Sequence, residues 1–230
     1  VLIASFAAGP LAANCYVLAA TADADCVVVD PGMDALDILA GVVAEHRLNP
    51  VAVLLSHGHL DHVADAAAVG ARWSLPVWIH PDDRAMLTDP LGALPASMRP
   101  LIAPPGEPVP TFAEPAELRT YLDGELLLLA DLQIAVTFAP GHTGGSVLLR
   151  TAYPDDASVD SLLLTGDVLF AGSIGRTDLP GGDHATMLET LRRHLLSLPD
   201  SVVVLPGHGA QTTIARERAQ NAYLSASYLS

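Results

Sequence analysis

The sequence predicts an α+β fold in which two β-sheets pack face to face and helices cover their outer faces. Three observations carry this expectation. Short apolar strand-like runs outnumber helical ones, and each is bounded by a Gly, Pro or Asp turn. Helical segments fall between the strands rather than in one block. Half of the 230 residues are hydrophobic and only 16% are charged, which excludes wholesale disorder and supplies a full two-layer core. The length suits one domain spanning residues 1–230.

The elements follow in order. Val1 to Phe6 and Cys15 to Ala19 read as strands joined by a turn at Gly9-Pro10. Cys26 to Val29 is a buried strand that stops at Asp30-Pro31-Gly32. Asp34 can cap a helix running to about Arg47, with Leu36, Leu39, Val43 and Leu48 on one face. Val51 to Leu55 is another buried strand, ending at Ser56-His57-Gly58-His59. A helix from about Val63 to Arg72 and a strand at Val77–Ile79 follow. Residues 88–116 form a proline-rich, loop-like excursion of the kind that can border a binding site. Strands are expected at Leu126 to Leu129, Gln133 to Phe138, Ser146 to Leu149, Leu162 to Thr165 and Val202 to Leu205. Residues 184–197 read as a helix that His184 begins, and a last helix carries Arg216 and Arg218.

The charge narrows the function. Eleven cations face 26 acids, a net −15, and all eleven cations are arginines. Without lysine, a lysine Schiff base and a phosphate-loop lysine are excluded. The acid excess argues against a nucleic-acid backbone or an anionic membrane as partner, since both need a basic face. No apolar run approaches the ~20 residues of a membrane span. Cys15 and Cys26 are too few for a disulfide scaffold and read as two reduced thiols. A cytoplasmic location is expected.

Five of the nine histidines fall in tight clusters with Gly or Asp. Ser56-His57-Gly58-His59-Leu60-Asp61-His62 packs four potential metal ligands into six residues. His57 and His59, two apart, can turn toward one cation, and Asp61 and His62 can reach a second beside it. Imidazole nitrogen and carboxylate oxygen suit zinc and its first-row neighbours. Gly58 is expected to let the backbone turn tightly. Pro140-Gly141-His142-Thr143-Gly144-Gly145, Thr165-Gly166-Asp167 and Pro206-Gly207-His208-Gly209 each place one more ligand just past a strand.

The ordered set SHGHLDH, PGHTGG, TGD and PGHG resembles the metallo-β-lactamase superfamily. The resemblance runs from Asn14-Cys15-Tyr16 through Val29-Asp30-Pro31-Gly32 to His208. It implies a four-layer αββα sandwich of two mixed sheets. It also implies two divalent metal ions, zinc by default with iron or manganese as alternatives. One ion would take His57, His59, His142 and Asp167, the other Asp61, His62, Asp167 and His208. Lactam-hydrolysing members typically place a cysteine near the second metal, and here both cysteines lie early. Asp167 with His208, and the run Gly166 to Asp178 containing Gly175-Arg176-Thr177-Asp178, are similar to short bacterial glyoxalase II-like hydrolases. Longer glyoxalase II enzymes carry a C-terminal helical domain with basic residues for glutathione, and 22 residues follow His208 in this sequence, so the resemblance does not imply glutathione as the carrier. That leaves the thiol carrier open.

The resemblance therefore implies hydrolysis of a small-molecule thioester, such as S-lactoylglutathione, by a metal-bridging hydroxide. Asp61 is the expected catalytic residue, holding the hydroxide's proton. Asp30 is expected to hydrogen-bond the ligand loop, and Arg176 to pair with a substrate carboxylate or, alternatively, with Asp178 or Asp183. Two divalent ions would make the site locally positive, so the acid excess does not exclude an anionic small substrate. The main rival is a persulfide dioxygenase with one iron on His57, His142 and Asp167. A superfamily nuclease or lactonase and a metal-storage protein rank below it. Tyr16 is expected in the core, and His46, His80 and His194 at the surface or in packing roles.

Overall fold

The computed structural model describes residues 1–95, 97–106 and 108–229. One sheet holds β1 (Leu2–Ala8), β2 (Ala13–Ala19), β3 (Asp25–Val29), β4 (Asn49–Leu54), β5 (Val77–Ile79) and β6 (Leu118–Thr120), hydrogen-bonded in that order. β1, β2 and β3 are antiparallel, and β3 to β6 run parallel. The other holds β7 (Leu126–Leu129), β8 (Leu132–Phe138), β9 (Val147–Ala152), β10 (Ser161–Gly166), β11 (Val203–Pro206) and β12 (Thr212–Thr213), again in sequence order. Only its β10–β11 pair is parallel.

Alternation along the strands builds the layers. In β2, Tyr16 and Leu18 point into the space between the sheets, while Cys15, Val17 and Ala19 point outward. Val27 and Val29 against Cys26 and Val28, and Leu54 against Val53, repeat the division. Both faces are buried, which is why these strands read as continuous apolar runs. The inner layer is closed from the second sheet by Ile134, Val136, Leu149, Leu162 and Leu164. On the outer face of the first sheet lie α1 (Leu36–His46), through Leu39 and Val43, and α3 (Ala66–Trp73), through Val69. On the outer face of the second, Met187 of α5 (His184–Thr190) packs with Leu191 and Leu195 of the π-helical turn that follows, beside Leu163 and Val204. The result is the expected αββα order of layers. α2 (Leu60–Val63), α4 (Arg99–Ile102) and α6 (Ile214–Gln220) complete the helices, with 3₁₀ turns at Pro81–Leu87 and Ala222–Leu224.

Four local expectations are corrected. Asp34 does not cap α1: it has a left-handed backbone (φ 60°), and the Leu36 N–H donates to Asp65 Oδ2 at 3.0 Å instead. The helix expected over 63–72 is two helices, α2 and α3, so Asp61 and His62 sit on a helical turn rather than in a loop. β6 and β12 were not foreseen, being three and two residues long. The 184–197 helix begins at His184 as expected, but its second half is π-wound. Cys15 and Cys26 are buried free thiols, and no described helix is long and apolar enough to cross a membrane.

Candidate metal centre

Every ligand-bearing loop leaves the C-terminal end of a strand or a strand turn, and all meet at one edge of the sandwich. β4 delivers Ser56 to His59, and His59 opens α2, which carries Asp61 and His62. The turn between β8 and β9 delivers His142, the end of β10 delivers Asp167, and the end of β11 delivers His208. His57, His59, His62 and His142 are all buried.

The rings are held by their outer nitrogens. Asp30 accepts from the Ser56 N–H (2.7 Å) and from Ser56 Oγ (2.6 Å), and its Oδ2 lies 3.0 Å from His62 Nδ1. Ser56 Oγ is in turn 3.0 Å from His57 Nδ1. With its proton committed to Asp30, Ser56 Oγ accepts from His57 Nδ1–H, which leaves His57 Nε2 as a lone pair. His142 Nδ1–H donates to the Arg176 carbonyl at 2.7 Å, which leaves His142 Nε2 as a lone pair that lies 2.8 Å from His59 Nδ1. Such hydrogen bonds set tautomer and ring orientation in metal sites. The expectation for Asp30 thus matches its observed contacts.

The inner nitrogens and carboxylates converge. His57, His59 and His142 form one group able to hold a metal ion, His57, His62 and Asp167 a second, and Asp61, His62 and His208 a third, with the ligand atoms within 4.8 Å of one another in each. Asp167 stands between them: its Oδ1 is 3.3 Å from His62 Nε2, and its Oδ2 is 3.5 Å from both His142 Nε2 and His208 Nε2. Asp61 Oδ2 is 3.1 Å from His208 Nε2. His57 Nε2, His62 Nε2 and Asp167 Oδ1 are buried with no hydrogen-bond partner. Orphaned atoms of this kind are costly without a ligand, so the donor set fits divalent cations of the zinc and iron type.

The titration directions of His57, His59, Asp61 and Asp167 agree with that donor set. Burial, then the neighbouring histidines, holds His57 well below its ordinary value. Burial and His142 push His59 down to about 3. Both rings are therefore neutral at pH 7, with lone pairs available. Burial opposes ionisation of Asp61 and Asp167, but His62 and His208 outweigh it and both stay below the ordinary carboxylate range. The two acids in turn raise His62 and His208 against the effect of burial.

Supporting contacts that the sequence does not reveal now appear. Buried Asp83, in the 3₁₀ turn after β5, accepts from the Gly58 N–H (2.8 Å), the Gly145 N–H (2.8 Å) and Thr143 Oγ1 (2.6 Å). It ties the His57–His59 loop to the His142 loop. Asn14 Nδ2 donates to the Pro206 and Gly209 carbonyls at 2.9 Å each, and Tyr16 OH to Pro206 O at 2.8 Å, bracketing His208. Tyr16 is in the core, as expected. At Gly58 the backbone has no positive φ and the constraint is the space a Cβ would need, since it would lie 2.7 Å from Met86 Sδ. At Gly207 a Cβ would collide with Asp167 Oδ1 and lie 2.7 Å from His62 Cε1. Gly207→Ala is therefore expected to weaken metal binding about 10-fold or more, measured by competition with a chelating dye, as when groups supporting a ligand are disturbed.

A cavity of about 310 Å³ opens over the cluster, with His59, Asp61, His142, Asp167 and His208 on its floor. Pro90, Leu94, Pro95 and Met98 from the 88–116 excursion form one wall, so that segment borders the site. Phe170, Leu179 and Arg176 lie on the other side. The Arg176 guanidinium is forked onto Asp178 through two 2.7 Å hydrogen bonds, the alternative weighed for it above.

Residues 8–208 match the model of the metallo-β-lactamase superfamily, and the chain belongs to that superfamily. An uncharacterized protein of Mycobacterium tuberculosis is 43% identical over 97% of both chains. The hydroxyacylglutathione hydrolase GloC of Haemophilus influenzae is 31% identical over 87% of this chain and 88% of its own. Among solved structures, the B3 metallo-β-lactamase BLEG-1 superposes with a TM-score of 0.80 at 37% identity, covering 97% of this chain and 100% of its own. TTHA1623 in a di-iron-bound form superposes at 0.76 with 33% identity, over 96% and 100%.

Proposed function

We propose that the chain is a two-metal hydrolase of S-acyl thiols, working in the cytoplasm on a small-molecule thioester and on neither nucleic acid nor membranes. The observation that carries the reading is Asp167, placed between two sets of histidines on the floor of a substrate-sized cavity. His57, His59 and His142 with Asp167 would hold one ion, and Asp61, His62 and His208 with Asp167 the other. Bound there, zinc or iron supplies a hydroxide near neutral pH and polarises the acyl carbonyl. The chain does the rest. Asp30, Ser56 and the Arg176 carbonyl orient the rings, so the ligand geometry needs little reorganisation during reaction. Asp61, partly open to the cavity, is placed to hold the proton of the attacking water and to orient its lone pair toward the carbonyl. Leu94, Met98 and Phe170 exclude bulk water from the floor. Similarity to GloC supports this choice of substrate class.

Zinc-loaded protein is expected to release thiol from S-lactoylglutathione or a simpler thioester. Chelation should abolish that release and zinc should restore it. No release from any thioester by the loaded protein would refute the reading. The likeness to BLEG-1 favours a second reading, β-lactam hydrolysis. A chromogenic cephalosporin opened faster than any thioester would establish it instead.

A further inference from the structure

Building on the thioester reading, we propose that the acyl half of the substrate is an apolar, medium-length chain rather than a 2-hydroxyacyl group. Leu94, Pro95 and Met98 would select it. Besides the candidate ligands, the cavity is lined by the apolar side chains of Leu94, Pro95, Met98, Phe170 and Leu179. The Arg176 side chain that lines it is already engaged by Asp178 in a bidentate pair, and the chain has no lysine. A charged, amide-rich thiol carrier entering here would lose hydration and gain few partners, which is costly. An apolar acyl chain loses nothing and buries its methylenes. The carrier then points toward solvent, and the scissile carbonyl rests on the floor beside Asp61 and Asp167. A lactoyl group, one carbon shorter than butyryl and carrying a hydroxyl, would bury less apolar surface against Leu94, Pro95 and Met98.

The test uses N-acetylcysteamine thioesters of acetate, butyrate, hexanoate and lactate with the zinc-loaded full chain. Burial of each methylene is worth about fourfold in kcat/KM, so hexanoyl, with four more methylenes, should exceed acetyl roughly 250-fold. Lactoyl should fall below butyryl. Leu94→Asn with Met98→Asn is expected to lower the hexanoyl-to-acetyl ratio at least 10-fold, with metal content unchanged. Leu179→Asn repeats the test from the opposite wall should the double variant fold poorly. A flat series, or lactoyl turned over fastest, would overturn this inference and leave the thioester reading standing. Failure to cleave any of the four would overturn both.

Discussion

Replacing Asp167 by asparagine is expected to lower kcat/KM for thioester hydrolysis about 1,000-fold, equivalent to losing several kcal/mol of charge stabilisation at the reacting carbonyl. The same variant should bind about one metal ion fewer per chain. Asp167 Oδ1 approaches His62 Nε2, and its Oδ2 approaches His142 Nε2 and His208 Nε2, so one carboxylate serves both ligand groups. Asparagine preserves the volume next to Gly207 but replaces one oxygen with an N–H donor that faces cation rather than lone pair. Loss of activity with intact thermal stability would separate this from misfolding. Unchanged metal content in the variant would contradict a shared carboxylate.

The second large effect is expected at Asp83, which touches no predicted ligand. Asp83→Ala strips the acceptor from two backbone N–H groups and one hydroxyl, all buried. Each donor left unsatisfied costs about 1–3 kcal/mol, and partial relaxation should bring the total to roughly 3 kcal/mol in urea unfolding. Because Asp83 holds the His57–His59 loop against the His142 loop, metal affinity should also fall about 10- to 100-fold. Asp83→Asn keeps one acceptor oxygen and should lie between wild type and alanine on both scales. A variant that loses stability but binds metal as tightly as the parent would limit Asp83 to holding the fold.

The candidate ligand cluster was legible because metal chemistry demands particular residue types at close spacing. Four ligand groups in six residues leave little other use, and Asp167 and His208 share the pattern of a strand running into a Gly-bearing turn. The layers were legible for a similar reason: strands with both faces buried, such as Cys26 to Val29, read as unbroken apolar runs. What escaped was whatever depends on the tertiary meeting of distant segments. Asp83 follows Pro81 and Asp82 at the start of a turn, where an acid looks like an ordinary N-terminal residue, and its three donors lie 25 to 62 positions away. Asp65 displaced Asp34 as the partner of the Leu36 N–H for the same reason. β6 and β12 are too short to show alternation, and pairing with β5 and β11 is what makes them strands. Arg176 could be read either way, because a guanidinium two residues from an acid suits a substrate and an ion pair equally.

The most direct test of the two-metal account is the metal content of protein purified without added metal, with oxygen uptake on glutathione persulfide followed on the same sample. The account predicts close to two zinc or iron ions per chain, thioester cleavage and no oxygen consumption. One iron per chain with oxygen consumed on the persulfide would contradict it, and would assign His57, His142 and Asp167 to a dioxygenase.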